Sequence, residues 1–322
     1  MQGHVSILSV SPEAAAMIAS GGRISTMDGT ADEIYANSLS AGQEKNEKLI
    51  GKVLSSGHTS VLEHCYVNLS FENVSVLAEQ FLIEFRLASF TVKSRRYVDF
   101  SKAGYVSPVF TDNVQMAIFE RTVESLFGTY DVLEAAGVPK EDARFVLPYC
   151  FCSNFFCSMN ARELVHVMNE LAYGRGSRIP ELRALGESLF AQCEQQIPFL
   201  AVRKPEAYRQ PDAFCLRQVQ LLTSKAPVTV LAAPQDAEGL ICGAYQLARG
   251  NVPQPLTKPE QTALLKALLA QPRKRELEQA SYTLLFGGLS LAALTHLTRH
   301  RMQALCAPEL PVSYTHLTLP TT

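Results

Sequence analysis

The chain has 322 residues, 47% of them hydrophobic, and a net charge of −2. That composition supplies core material for two domains and excludes a polyanion-binding surface, so nucleic acid is not an expected partner. MQGHVSILSVSPEA carries no basic leader, and apolar runs such as TLLFGGLSLAALTHL are shorter than a bilayer span, which predicts a cytoplasmic chain without a membrane anchor.

In chain order, VSILSV at 5–10 predicts a strand. ADEIYANSL and EKNEKLIGKVLSSG predict helices, the second closed by Gly57. CYVNLSFENVS alternates apolar and polar residues as a half-buried strand does, and VLAEQFLIEFR then shifts to helical spacing. Residues 113–136, 141–147, 160–171 and 181–196 predict helices, while Pro198, Pro205 and Pro211 among charges mark a linker or domain edge. Cys65, Cys150, Cys152, Cys157, Cys193, Cys215, Cys242 and Cys306 stand mostly in apolar surroundings, which predicts reduced, buried thiols. Cys150, Cys152 and Cys157 lie close together, but no second ligand cluster answers them, so no metal is expected.

VTVLAA at 228–233 echoes VSILSV, and helical segments follow it. Leu62-Glu63 matches Leu277-Glu278 and Arg86 matches Arg301 at one offset of 215 residues (277 − 62 and 301 − 86). The same offset pairs Leu69 with Leu284, Phe71 with Phe286, Ser75 with Ser290 and Ala78 with Ala293. An internal duplication is the expectation, with one domain at 1–210 and a partial second copy at 211–312. The last ten residues, SYTHLTLPTT, fit neither copy and resemble translated adapter sequence, so 313–322 is expected to be a non-native tail.

Chemistry concentrates in a few places. EFRLASFTVKSRRY at 84–97 holds four basic side chains and three hydroxyls against one acid. Arginine presents a planar fork to phosphate oxygens and serine adds a neutral donor, so Ser89, Ser94, Arg96 and Tyr97 can meet one phosphate where the backbone turns. A solvated basic strip fits the same composition. In NARELVHVMNELAYG, Arg162, His166 and Asn169 fall at i, i+4 and i+7 of a helix, a line suited to ribose, ring or phosphate, or to plain solvation. Arg144 precedes an apolar run, and His58 and His64 flank Glu63 without the spacing of a zinc helix. Arg299, His300 and Arg301 are consecutive beside an apolar helix, an expensive ending unless an anion meets them.

The order GHTSVLEH, FRLASFTVKSRRY, RFVLP, NARELVHVMN resembles the flavin-dependent thymidylate synthase family. That family's signature is Arg-His-Arg, two residues, Ser, four residues, Ser, one residue, Arg-Tyr; here Arg86, Ser89, Ser94, Arg96 and Tyr97 stand at the matching places. The resemblance covers about residues 5–200, and its first part recurs over about 228–310. It implies an α+β fold, an antiparallel sheet flanked by helices with a smaller helical part. It also implies methylation of dUMP to dTMP with methylenetetrahydrofolate, reduced FAD supplying hydride and NADPH re-reducing the flavin, with no protein nucleophile. By the family pattern Ser89, Ser94, Arg96 and Arg144 hold the nucleotide. Arg86, Asn160, Arg162 and His166 contact the flavin, and His58 lies near flavin or folate. Arg299, His300 and Arg301 would serve the flavin from the second copy. A homo-oligomer follows, because the family builds its flavin site between subunits.

The pattern also breaks. Glu84-Phe85 stands where Arg-His belongs, setting a negative charge where a cation should meet the flavin. Thr91 and Val92 replace an amide and an acid, and Leu171 occupies an arginine position that Arg175 can fill only through an insertion. The second copy keeps Arg299-His300-Arg301 but has Ala304 for the first serine, and Pro308 and Glu309 disrupt the second. These complementary losses suggest that one copy supplies the Arg-His-Arg and the other the serine and arginine. The alternative they leave is a non-catalytic nucleotide-binding relative, or a structural partner of an intact synthase.

Overall fold

The computed structural model describes residues 3–209, 227–272, 274–300 and 303–307, those at 291 and 292 by backbone alone. Arg301, Cys215, Pro211 and the tail 313–322 lie outside the described residues. Two compact units are present, divided between 214 and 215 and again between 294 and 295, so that the residues from Thr295 onward count with the first.

The first unit begins with β1 (His4–Val10), α1 (Ala14–Arg23), α2 (Ala31–Ala41) and α3 (Gln43–Ser55). It continues through β2 (Tyr66–Ser75), α4 (Val76–Leu82), β3 (Ser89–Val92), α5 (Asn113–Ala135) and α6 (Lys140–Ala143). β4 (Cys152–Asn160), α7 (Ala161–Ala172), α8 (Pro180–Gln196) and α9 (Pro205–Tyr208) follow. The sheet is antiparallel in the order β1-β2-β4-β3. Alternation turns Val67, Leu69 and Phe71 of β2 and Phe155, Cys157 and Met159 of β4 inward, where Phe71 and Phe155 stack at 4.7 Å. Leu164, Met168 and Leu171 of α7 and Leu182, Leu185 and Leu189 of α8 complete that core. A smaller core of Val76, Phe100, Tyr130, Ala143, Leu147 and Phe151 lies under α5. The expected α+β architecture, a helix-flanked antiparallel sheet, is the one observed.

Local chemistry sets the element boundaries. Thr30 and Glu33 form a capping box on α2. Ser75 Oγ accepts from Ala78 N–H to open α4, and Asn160 Oδ1 accepts from Glu163 N–H to open α7. The helix expected at 141–147 is α6 followed by a 3₁₀ turn, Arg144–Val146. Neither β3 nor β4 was expected. β3 is four half-exposed residues, and β4 sets Phe155 and Phe156 side by side, which hides its alternation. Cys65, Cys152, Cys157, Cys193 and Cys242 are buried and free, whereas Cys306 is exposed.

The second unit contains β5 (Val228–Ala232), α10 (Ala237–Leu247), α11 (Lys258–Ala270), β6 (Thr283–Phe286) and the start of α12 (Leu291–Thr298). Its internal geometry repeats that of the first. Val228 and Val230 pair with Phe286 and Leu284, as Val5 and Ile7 pair with Phe71 and Leu69. Both ladders break register at the same step, Ile7 to Ser9 and Val230 to Ala232. Asn73 and Gly288, 215 apart (288 − 73), both hold positive φ, 54° and 66°. Ser290 Oγ accepts from Ala293 N–H at 3.1 Å, matching the Ser75 cap at 3.0 Å. No helix among the described residues is long and apolar enough to cross a membrane.

Ser75 also donates through Oγ to Glu181 Oε2 at 2.5 Å, and its N–H donates to Oε1 at 2.7 Å. Burial pushes the Glu181 carboxyl up and these bonds hold it down. Replacing Ser75 with Ala removes a cap and one partner of a buried carboxylate, so urea unfolding is expected to register a loss of about 2 kcal/mol.

Candidate functional site

Two clusters carry the chemistry. The first grows from α4, where Glu79 is wholly buried and Gln80 nearly so. An acid buried on an apolar helix requires partners. Glu79 Oε2 accepts from Arg95 Nη2 at 2.5 Å and from Ser153 Oγ at 2.6 Å, while the Arg95 guanidinium stacks over Phe151 at 5.2 Å. Arg299 Nη2 lies 3.5 Å from Glu79 Oε1, an ion-pair distance without hydrogen-bond geometry.

The chain around α12's C-terminal end reaches the same place. Gln80 Nε2 donates to Thr298 Oγ1 at 2.9 Å, and the Tyr149 hydroxyl is 3.0 Å from Thr295 Oγ1. His296 Nε2 lies 3.4 Å from Arg144 Nη2, and Arg86 donates to the Gln303 carbonyl. Burial first, and then the charges of Arg144, Arg299, Arg96 and Arg95, push His296 below its ordinary pKa. Arg144 thus touches the imidazole, Arg95 and Arg299 meet the buried Glu79 carboxylate, and all three together with Arg96 are close enough for their charge to act on His296. Such an excess of forked cations attracts a compact anion.

Of the residues expected to hold a nucleotide, Arg96 and Arg144 belong to this cluster. Ser94 Oγ accepts from the Arg96 N–H, and Ser89 lies exposed on β3. Arg95, Glu79, Gln80 and His296 were not singled out in the sequence. Arg95 was masked by its neighbour Arg96, although an acid among the apolar residues of VLAEQFL was a signal that some cation must be buried with it.

The second cluster is a cavity of about 920 Å³ lined by Leu54, Leu62, Arg162, His166, Phe199 and Tyr208, among others. Arg162 Nη1 donates to Glu63 Oε1 at 2.5 Å, and His166 Nδ1 lies 2.9 Å from the Tyr208 hydroxyl. Asn169, expected on the same face, is instead wholly buried, donating to the carbonyls of Val165 and Val202. Asn160 serves as the α7 cap, and exposed His58 precedes the lining residue Thr59. Arg86 and Arg299 meet the first cluster, and the His300 N–H donates to the Leu297 carbonyl. Leu87 lines the cavity while Arg86 reaches the segment carrying Arg299, so the two clusters meet at consecutive residues.

The Glu84-Phe85 departure has a structural counterpart. Glu84 accepts from Arg175 at 3.0 Å, and Phe85 is buried edge-on to His166 at 5.4 Å. Arg175 in turn stacks over Phe81 at 5.1 Å. The negative charge is therefore neutralised by Arg175.

Three comparisons bear on this geometry. A family description, "Thymidylate synthase complementing protein", matches residues 6–199. The chain is 31% identical over 256 residues to a flavin-dependent thymidylate synthase of Nitratidesulfovibrio vulgaris, covering 76% of this chain and 96% of that one. It is 34% identical over 166 residues to one from Geobacter sulfurreducens, covering 50% and 70%. A solved structure, the UMP/dUMP methylase PolB of Streptomyces cacaoi bound with 5-Br dUMP, shares the fold with a TM-score of 0.52 at 21% identity, over 62% of this chain and 93% of that one.

The Glu79–Arg95 pair is testable by truncating one side. Glu79→Ala leaves a buried guanidinium without its carboxylate, and denaturant unfolding is expected to report a loss of about 3–5 kcal/mol. A loss below about 1 kcal/mol would mean that Arg95 escapes to solvent.

Proposed function

Because the chain belongs to the thymidylate synthase complementing protein family, we propose that it makes dTMP from dUMP by flavin-dependent reductive methylation. The observation that carries this is the group of arginines Arg95, Arg96, Arg144 and Arg299 around His296, with Arg144 3.4 Å from the imidazole and Arg95 and Arg299 on Glu79, which suits a nucleotide phosphate. Arg144 and Arg96 hold that phosphate, with Ser94 and Ser89 from the neighbouring chain segment as hydroxyl donors.

The cavity fits a large ligand that is part apolar and part anionic, since Leu54, Leu62 and Phe199 face it together with Arg162 and His166. Arg162 and His166 would hold FAD there, with Asn160 at the head of the same helix and His58 at the rim. Bound there, a reduced flavin would supply hydride, with NADPH as its reductant and methylenetetrahydrofolate as the carbon source. The protein's share is orientation. Cys150 and Cys193 are poor nucleophiles, because burial pushes them up to about 11 and about 12.

The second unit is a partial copy of the first. The shared register break, positive-φ position and serine cap support this, all standing at matching places. In that correspondence Arg299 is the counterpart of Glu84 (299 − 84 = 215). The cation lost at 84 is thus present 3.5 Å from Glu79, in the first unit's own cluster. One chain then supplies both halves of a site that otherwise needs two subunits, with Arg301 and His300 extending the same motif. Cytoplasmic placement and homo-oligomerisation complete the proposal.

The Glu84–Arg175 pair favours a second reading, a non-catalytic nucleotide-binding relative. One experiment separates the two. Purified protein is expected to be yellow and to convert dUMP to dTMP when given NADPH and methylenetetrahydrofolate. Arg144→Ala should raise the KM for dUMP by about tenfold or more, and Arg299→Ala should reduce turnover similarly. A colourless protein that still binds dUMP would establish the second reading, and one indifferent to both substitutions would sink the site.

A further inference from the structure

The cavity's wall at Val202–Tyr208 lies beyond the family-matched residues 6–199, yet it is tied to the matched part by hydrogen bonds. Buried Asn169 staples it to α7. Its Nδ2 donates to the Val202 carbonyl at 2.8 Å, and its Oδ1 accepts from the Lys204 N–H at 2.6 Å. Arg203 is committed elsewhere, donating to the Tyr173 hydroxyl at 2.7 Å and to Glu187 at 2.8 Å, and stacking over Phe190 at 4.1 Å. These bonds fix the chain from Val202 to Lys204, which lines the cavity and has no ion-pair partner among the described residues.

Tyr208 ends the wall. Its ring lies 5.6 Å from that of His166, which in turn lies 5.4 Å from Phe85, so three rings run from the core to the cavity. Its hydroxyl is held by His166, and burial, then Glu170 and Glu163, push its pKa up, so it stays a neutral phenol. A neutral, half-buried phenol with a fixed ring is a stacking surface for a planar heteroaromatic group. Arg162 is already paired with Glu63, which leaves Lys204 as the less compensated cation for a phosphate in the cavity.

We propose that Tyr208 and Lys204 are ligand-binding residues of this cavity, Tyr208 stacking on the ring system of a flavin and Lys204 pairing with its phosphates. The proposal rests on the flavin reading above and adds binding groups that the family match does not contain. Tyr208 gives affinity for any flavin, whereas Lys204 gives preference for phosphorylated ones.

The test is titration of the full-length protein with riboflavin, FMN and FAD, followed by quenching of flavin fluorescence. Tyr208→Ala is expected to weaken all three by about tenfold, and Tyr208→Phe to stay within about threefold of the parent, since the ring remains. Lys204→Gln should weaken FMN and FAD by about tenfold and leave riboflavin unchanged. Tyr208→Phe removes only the hydroxyl contact with His166 and Lys204→Gln only an exposed charge, and their urea midpoints report whether they fold as the parent does. If the parent binds no flavin, the flavin reading itself falls. If the parent binds flavin and neither Tyr208→Ala nor Lys204→Gln changes affinity, the flavin reading stands and this proposal is overturned. Equal weakening of riboflavin by Lys204→Gln would also overturn the phosphate role.

Discussion

A carboxylate with no access to water must be surrounded by donors, and Glu79 is that constraint here. Arg95 comes from the basic segment, Ser153 from β4, and Arg299 from the far end of the chain. One side chain therefore fixes three elements that are distant in sequence. Anchored through Arg95, the basic segment holds Arg96 in the same cluster as Arg144 and His296. Charge excess and rigidity have the same origin, because the cations are gathered by a group that can neutralise only part of them.

Much of this was legible in the chain, and the failures have identifiable causes. β2 was evident because its outward residues are polar, so the period of two stands out in CYVNLSFENVS. β4 was not, since it is the interior strand between β2 and β3 and carries Phe on both faces. The line Arg162, His166, Asn169 was right in spacing and wrong in its last member. Spacing gives direction around a helix axis, but α7 packs on the chain at 202–204 on that side, and Asn169 is consumed there. Arg96 and Arg144 were found as individual cations. Arg95 required knowing that Glu79 faces inward, which depends on the register of α4 against β4 and is a tertiary fact.

The geometry shared by the two units lies in the backbone rather than in the side chains. Few side chains agree between the two halves, yet the ladder break, the left-handed position and the helix cap coincide. Each is a backbone feature with a narrow set of permitted residues. Asn in one half and Gly in the other meet the same left-handed requirement, since both tolerate φ > 0 better than other residues do. The helix that follows opens on serine in both because a first-turn N–H needs an acceptor.

The second unit has a thermodynamic consequence of its own. Among its described residues only Ile241, Cys242 and Leu268 are buried apolar side chains, while Val230, Leu231 and Leu284 of its two-stranded sheet are largely exposed. A pair of strands with so little beneath it is marginal in water. Its backbone amides should exchange with solvent through small local openings, far faster than those of β2 and β4, whose exposure requires the whole sheet to come apart. Local opening of this short ladder then needs far less apolar surface to be exposed than opening of the four-stranded sheet does.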